Sequence, residues 1–152
     1  MKSLFGNLFV LLASALALGL PALIRAETPK TDKGSATTSN PADKLVVLWT
    51  SGDRDVALNM VFMYTLNAKL HNWWADVTFI VWGPSSKLLA SDTELKDQIK
   101  KMKEVGIILE ACQACADRYG VSGMLQELGI DVKYMGQPLT QYIKEGRHIL
   151  TF

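Results

Sequence analysis

The chain has 152 residues, of which 49% are apolar and 9% aromatic, and it contains two cysteines. These values are typical of a globular chain with one domain and exclude fibrous, disulfide-rich and wholly disordered proteins. Its 16 Lys and Arg residues nearly balance its 15 Asp and Glu residues, and they form no continuous block. A nucleic-acid-binding protein is therefore not expected, because neutralising phosphates needs a concentrated cationic surface.

The first 26 residues differ in composition from the rest of the chain. Lys2 precedes an apolar run over residues 4–20. Pro21 and, at the end, the small residue Ala26 follow that run. This order is typical of a secretory signal peptide. A retained membrane anchor is the alternative, although the run is a little shorter than the ~20 apolar residues that span a bilayer. We expect residues 1–26 to be a signal peptide, the mature protein to have no stable membrane span, and its location to be periplasmic or otherwise exported.

Residues 27–43 are mainly Thr, Ser, Lys, Asp, Pro and Gly, with Ala36 and Ala42 as the apolar exceptions. Such a segment cannot bury a core, so a flexible tether is predicted. Residues 44–152 then form one compact domain of common size.

Predicted strands and helices alternate through this domain. The continuous apolar run over residues 45–49 predicts a strand covered on both faces, followed by a helix to about Leu70. A capping box from Ser91 to Glu94 predicts a helix that runs to Val105. The five predicted strands are residues 45–49, 77–82, 107–109, 130–135 and 147–152. Strands separated by helices indicate a mainly parallel sheet with helices on both faces.

Sites in parallel sheets lie at the carboxyl ends of the strands. This rule selects the loops over residues 50–55, 83–86, 111–115 and 136–138. Asp53 has helix capping as its alternative role. The candidate pocket-lining residues in these loops are Ser51, Gly52, Asp53, Arg54, Gly83 and Gly136.

The helix after the first strand has almost no polar face, since apolar side chains occupy most positions from Leu58 to Leu70. A helix that is apolar all round is expected to be buried all round. We expect one side to pack on the sheet and the other on a second subunit. A position beneath the tether is the alternative.

Cys112 and Cys115 form a Cys-x-x-Cys pair where the third strand meets the next helix. The unpaired N–H groups of a first helical turn stabilise a thiolate, so the pKa of Cys112 is expected to lie below the ~8.5 of a free cysteine. Cys115 lies one turn further along, within reach of a disulfide. Glu110, Asp117 and Arg118 flank the pair and either modulate the thiolate or form solvated surface.

Four interpretations of the pair compete. A structural disulfide suits an exported protein, although so small a loop stabilises little. A thioredoxin-like redox centre lacks its usual Cys-Gly-Pro-Cys context. Zinc needs four ligands, and His71 and His148 are far from the pair in sequence, so no metal site is expected. A nucleophilic sulfur is the fourth interpretation.

Several short motifs resemble the DsrE family of sulfur-relay proteins, and the resemblance extends over residues 44–152. Its matching features are residues 106–109, Cys112, Gly120-Val121, residues 128–130, residues 135–140 and the Thr50-Ser51-Gly52 turn. By its spacing to Gly120-Val121, Cys112 falls on the position of the family's sulfur-carrying cysteine.

The resemblance implies a three-layer α/β/α sandwich with a mainly parallel five-stranded sheet, assembled as a trimer or hexamer. It also implies that Cys112 receives sulfane sulfur as a persulfide and passes it to an acceptor thiol. The implied partners are donor and acceptor proteins or small polysulfides, and no cofactor is implied. Cys115 departs from the family pattern and could resolve the persulfide by thiol exchange. The alternatives are a non-catalytic oligomeric binding module with a Cys112–Cys115 disulfide and an exported dithiol redox protein.

Overall fold

A computed structural model describes residues 40–152 of the chain. The predicted signal peptide over residues 1–26 and most of the predicted tether lie outside the described residues. The end of that tether, Pro41–Asp43, forms a 3₁₀ turn in which the Asn40 side chain accepts the Ala42 N–H at 3.1 Å. The Asp43 carbonyl accepts a hydrogen bond from the Ala75 N–H at 2.9 Å, which holds this turn beside the loop before the second strand.

Five strands form one sheet in the order β4-β3-β2-β1-β5, and every neighbouring pair is parallel. The parallel five-stranded sheet predicted from the sequence is therefore confirmed. Predicted strand bounds shift by a few residues, most of all for β3, which continues to Cys112 instead of ending at residue 109. The strands are Lys44–Trp49 (β1), Asp76–Val81 (β2), Ile108–Cys112 (β3), Asp131–Lys133 (β4) and His148–Thr151 (β5).

Seven α-helical segments connect the strands, and a π-helical segment, Ala57–Phe62, joins the first two into one continuous helix. The predicted capping box is wrong by one residue, because Asp92 and not Ser91 caps α4 by accepting the Leu95 N–H at 3.0 Å. The helices are Arg54–Val56 (α1), Met63–Leu70 (α2), Pro84–Ser91 (α3), Thr93–Glu104 (α4), Gln113–Tyr119 (α5), Ser122–Glu127 (α6) and Gly136–Lys144 (α7).

The connections place the helices in two layers. From β1 to β4 each strand lies beside the previous one in the same direction, so right-handed crossovers leave α1 to α6 on one face of the sheet. The connection from β4 to β5 returns across the sheet in the opposite direction. Right-handedness therefore places its helix, α7, on the other face. The three-layer α/β/α sandwich expected from the family resemblance is confirmed.

Each face of the sheet buries its own core, because side chains alternate between the faces along a strand. The larger core lies under α1 to α6 and includes Trp49, Phe62 and Phe79. The Trp49 and Phe62 rings meet edge to face at 5.1 Å between centroids. The smaller core lies under α7 and consists of Val46, Ile80, Cys112 and Met135, with Leu139 and Tyr142 of α7 packed against it.

The outer side of the helix from α1 to α2 is apolar and open. Val61 and Phe62 are buried against the sheet, whereas Met60, Met63 and Leu70 are each more than half exposed. The predicted contact with the sheet is thus present, and a second subunit on the outer side stays a prediction. Within residues 40–152, no helix combines the length and apolar character needed to cross a membrane.

Candidate functional site

The four predicted loops follow β1, β2, β3 and β4, and they meet at one edge because these strands are parallel. Hydrogen bonds join the strand ends there. The Trp82 N–H donates to the Trp49 carbonyl at 2.9 Å, and the Thr50 N–H donates to the Phe152 carbonyl at 2.7 Å. These bonds fix the backbone positions on which the candidate site is built.

Cys112 is the last residue of β3 and the residue immediately before α5. Its backbone pairs with Lys133 of β4. Cys112 is 5% exposed and belongs to the small core with Val46, Ile80 and Met135. The sequence analysis placed Cys112 in a loop, whereas the longer β3 makes it a buried strand residue on the face that α7 covers.

Cys115 lies in the first turns of α5 and is partly exposed. Cys115 packs against the small core that contains Cys112, and its thiol lies close enough to Cys112 and to the Gly83 N–H for both groups to act on its pKa. Gly83 has a φ of 72°, a left-handed conformation that glycine adopts without strain. Both cysteines are free thiols in this structure. The fold therefore brings the loop after β2 beside Cys115, and the pocket-lining role of Gly83 stays a prediction.

Several groups affect the ionisation of Cys115. Burial raises the pKa of Cys115 above its ordinary value, and the neighbouring Cys112 side chain raises it further. The Gly83 N–H and the positive charge of Arg118 act in the opposite direction without reversing the shift. Since an ordinary cysteine has a pKa near ~8.5, most Cys115 side chains carry their proton at neutral pH.

A buried carboxylate lies on the same face of β3 as Cys112. Glu110 is 3% exposed, and its Oε1 atom accepts hydrogen bonds from Lys133 Nζ at 2.7 Å and from Tyr142 Oη at 2.9 Å. Among the described residues, no group hydrogen-bonds its Oε2 atom. Lys133 Nζ also lies 2.7 Å from a carboxylate oxygen of Asp131. These contacts tie β3, β4 and α7 together.

The cluster around Glu110 shifts the pKa values of two neighbouring side chains, Tyr142 and Lys133. Burial, and then the hydrogen bond to Glu110, raise the pKa of Tyr142. For Lys133, burial lowers the pKa, but hydrogen bonds to Asp131 and Glu110 outweigh it, so the net shift is upward. The sequence analysis named Glu110 and missed Lys133 and Tyr142. An acidic residue inside the apolar run over residues 107–112 was the available signal, since a buried charge needs partners.

The candidates in the loop after β1 serve local structure. Ser51 Oγ accepts the Asp53 N–H at 3.1 Å. Asp53 caps α1 by accepting two of its backbone N–H groups at 2.8 and 3.1 Å, which is the alternative role that the sequence left open. Arg54 makes ion pairs with Asp92, at 2.7 Å, and with Glu94. The structure therefore engages Arg54 with α4 and its cap.

The two remaining glycine candidates, Gly52 and Gly136, lie in different surroundings. Gly52 lines a cavity of about 330 Å³, and Cys112 and Cys115 are not among the residues that line it. The other residues lining it are Pro84, Lys87, Leu88 and Ser91. Gly136 begins α7, and its carbonyl accepts the Thr140 hydroxyl at 2.7 Å. Among residues 40–152, no three His, Cys, Asp or Glu side chains are grouped so that they could hold a metal ion.

Comparison with solved structures finds proteins of the same architecture. A conserved protein of unknown function from Bacteroides thetaiotaomicron, BT1422, is 46% identical and superimposes with a TM-score of 0.70, covering 72% of this chain and 95% of that one. The ychN protein from E. coli is 12% identical with a TM-score of 0.60, covering 73% of this chain and 99% of that one. At 12% identity this second likeness concerns the fold alone.

Comparison at the level of sequence agrees with the motifs. No curated protein matches the chain. The model of the DsrE/DsrF-like family matches residues 43–152, nearly the same residues over which the motifs resemble that family. The chain therefore belongs to the DsrE/DsrF-like family.

Proposed function

We propose that this protein is a sulfur-relay protein that carries sulfane sulfur as a persulfide on Cys112 and transfers it to an acceptor thiol. Membership of the DsrE/DsrF-like family suggests a role of the sulfur-relay type. The observation that carries the proposal is the pair of free thiols, which pack into one cluster at the carboxyl edge of the sheet. Two adjacent thiols are suited to accepting and passing on sulfur by exchange.

The proposed reaction consists of two exchanges between sulfur atoms. A donor persulfide, R–S–SH, gives its outer sulfur to Cys112, which becomes Cys112–S–SH, and the donor leaves as the thiol R–SH. An acceptor thiol then takes that outer sulfur and Cys112 returns to a thiol. Donor and acceptor proteins or small polysulfides fill these roles. The bond changes involve sulfur and protons alone, so the proposal invokes no cofactor.

The proposal includes export and self-association. The composition of residues 1–26 supports export to the periplasm or beyond. The exposed apolar side chains of Met60, Met63 and Leu70 support assembly into a homotrimer or homohexamer, because a second copy would remove them from water. Light scattering of the purified protein tests this assembly, and a monomer at all concentrations would contradict it.

Intact mass measurement tests the carrier function. The purified protein is weighed before and after incubation with polysulfide, with and without mild reductant. A reversible gain of about 32 mass units per added sulfur is expected for the wild type. Cys112→Ser is expected to lose the sulfur that Cys112 carries, and Cys115→Ser, which keeps Cys112, is its matched control.

Two other outcomes would overturn the proposal. A mass two units below the reduced chain, unchanged by polysulfide and resistant to mild reductant, would indicate a structural Cys112–Cys115 disulfide and a non-catalytic binding module. A disulfide that forms and is reduced readily, without any species of higher mass, would indicate an exported dithiol redox protein.

A further inference from the structure

The two sulfur atoms of the pair differ in accessibility. Cys112 is 5% exposed and lies beneath α7, whereas Cys115 is partly exposed on α5. A donor protein cannot bring its persulfide into contact with a thiol inside a packed core unless the core opens. A sulfur atom arriving on another protein therefore meets Cys115 first.

Two groups beside Cys115 favour its anionic form. The Gly83 N–H and the charge of Arg118 both act to lower the pKa of its thiol, although burial and Cys112 raise that pKa by more. Arg118 follows Cys115 by three residues on α5, which places both on one side of the helix, and Arg118 is exposed. An N–H donor and a cation both stabilise the negative charge that a thiolate or persulfide carries during exchange.

Cys112, in contrast, is surrounded by apolar side chains. Its neighbours in the small core are the apolar side chains of Val46, Ile80 and Met135. The outer sulfur of a persulfide is attacked by any thiol that reaches it, so such a buried position protects a stored sulfur. Cys115 packs against this same small core, so a sulfur passed between the two thiols stays within one cluster of side chains.

We infer that Cys115 is the thiol that exchanges sulfur with external donors and acceptors, and that Cys112 is the internal storage position. This inference rests on the proposed sulfur-relay function and reverses the expected order of the two cysteines. In the first step, Cys115–SH and R–S–SH form Cys115–S–SH and R–SH. In the second, Cys112–SH takes the outer sulfur, which gives Cys112–S–SH and restores Cys115–SH. Unloading follows the same steps in reverse, and no oxidant or reductant is consumed.

The test compares a bulky donor with a small one. Serum albumin that carries a persulfide on its thiol cannot enter the small core, whereas tetrasulfide can reach Cys112 when the core opens briefly. Rates of sulfur gain are measured by intact mass for the wild type, Cys115→Ser and Cys112→Ser. Residues 104–118 form one tryptic peptide that contains both cysteines, so fragmentation of that peptide locates the added sulfur. Thermal unfolding of each variant verifies that it is folded.

In the wild type, sulfur from albumin is expected on Cys115 first and on Cys112 later. Cys115→Ser is expected to lower the ratio of the albumin rate to the tetrasulfide rate at least tenfold. Cys112→Ser is expected to load from albumin but to lose its sulfur to glutathione at least tenfold faster than the wild type.

Separate results would overturn the inference and the proposed function. Cys115→Ser loading from albumin at the wild-type rate, or Cys112→Ser failing to load at all, would overturn the order of the cysteines while leaving a persulfide carrier. Release of sulfide with formation of a Cys112–Cys115 disulfide would overturn storage on Cys112. A wild type that gains sulfur from neither donor would overturn the sulfur-relay function itself.

Discussion

Removing one hydroxyl group from α7 tests whether the Glu110 cluster holds that helix on the sheet. In Tyr142→Phe, Glu110 Oε1 loses the donor at 2.9 Å and keeps Lys133 Nζ at 2.7 Å. Hydrogen bonds to charged groups contribute about 1.5–3 kcal/mol. We expect the low end, about 1.5 kcal/mol, because Lys133 remains and Tyr142 is partly exposed. For a domain of about 110 residues, this loss lowers the Tm by about 6 °C.

Tyr134→Phe is the matched control, because it removes the same hydroxyl from a side chain that is 68% exposed. Urea unfolding followed by circular dichroism gives the free energy of unfolding for both variants and the wild type. Tyr134→Phe is expected to lie within about 0.5 kcal/mol of the wild type. If Tyr142→Phe is no less stable than Tyr134→Phe, the Glu110 cluster does not anchor α7.

The pH dependence gives a second check on the same hydroxyl. Burial and Glu110 raise the pKa of Tyr142 in the folded protein above its unfolded value of about 10. A raised pKa means that the stabilisation is fully present below the unfolded pKa and is lost as the pH rises through the folded pKa. The stability difference between wild type and Tyr142→Phe is therefore expected to be constant from pH 7 to 9 and to shrink above pH 10 or so. A stability difference that grows above about pH 10 would contradict the raised pKa of Tyr142.

Three further predictions concern other parts of the domain. Phe79→Ala removes a fully buried ring of the larger core and is expected to reduce the free energy of unfolding by about 3–5 kcal/mol. A loss below about 1 kcal/mol in urea unfolding would contradict the described packing of this ring. The Leu95 N–H and then Arg54 lower the pKa of Asp92. The stability difference between wild type and Asp92→Ala is therefore expected to be present at pH 7 and to shrink as the pH falls below about 4. Equal differences at pH 7 and pH 3 would show that the Asp92 cap makes no ionic contribution to stability. Cys112→Ala removes a neighbouring thiol that raises the pKa of Cys115. The midpoint of the pH profile for Cys115 alkylation is therefore expected to move to lower pH, and an upward shift would contradict this effect of Cys112.

Strands were predictable because their signals are local. The buried strands β1 and β2 consist mainly of apolar residues, and such strands with helices between them allow few arrangements other than a parallel sheet. The position of the cysteines at its carboxyl edge follows from that topology.

What the sequence did not predict depends on contacts between distant residues. Helix α3 is eight residues long and begins with Pro84, directly after a turn signal, so its pattern is too short to distinguish from a loop. Glu110 gains its partners from β4 and α7, which lie 23 and 32 residues further along the chain. The burial of Cys112 likewise depends on where β3 ends and on α7 returning across the sheet. The periodicity of apolar residues within one segment carries no information about contacts with distant segments.

The asymmetry of the two helical layers has a consequence for motion. A nine-residue helix, α7, covers one face, and no side chain caps its first N–H groups. Parts of a protein that bury few apolar side chains open with a smaller free energy than the whole domain. Amide hydrogens of α7 are thus expected to exchange with deuterium before those of β1 and β2. Each such opening uncovers Cys112, so the frequency of this local unfolding sets how long a sulfur atom stored there would survive among free thiols.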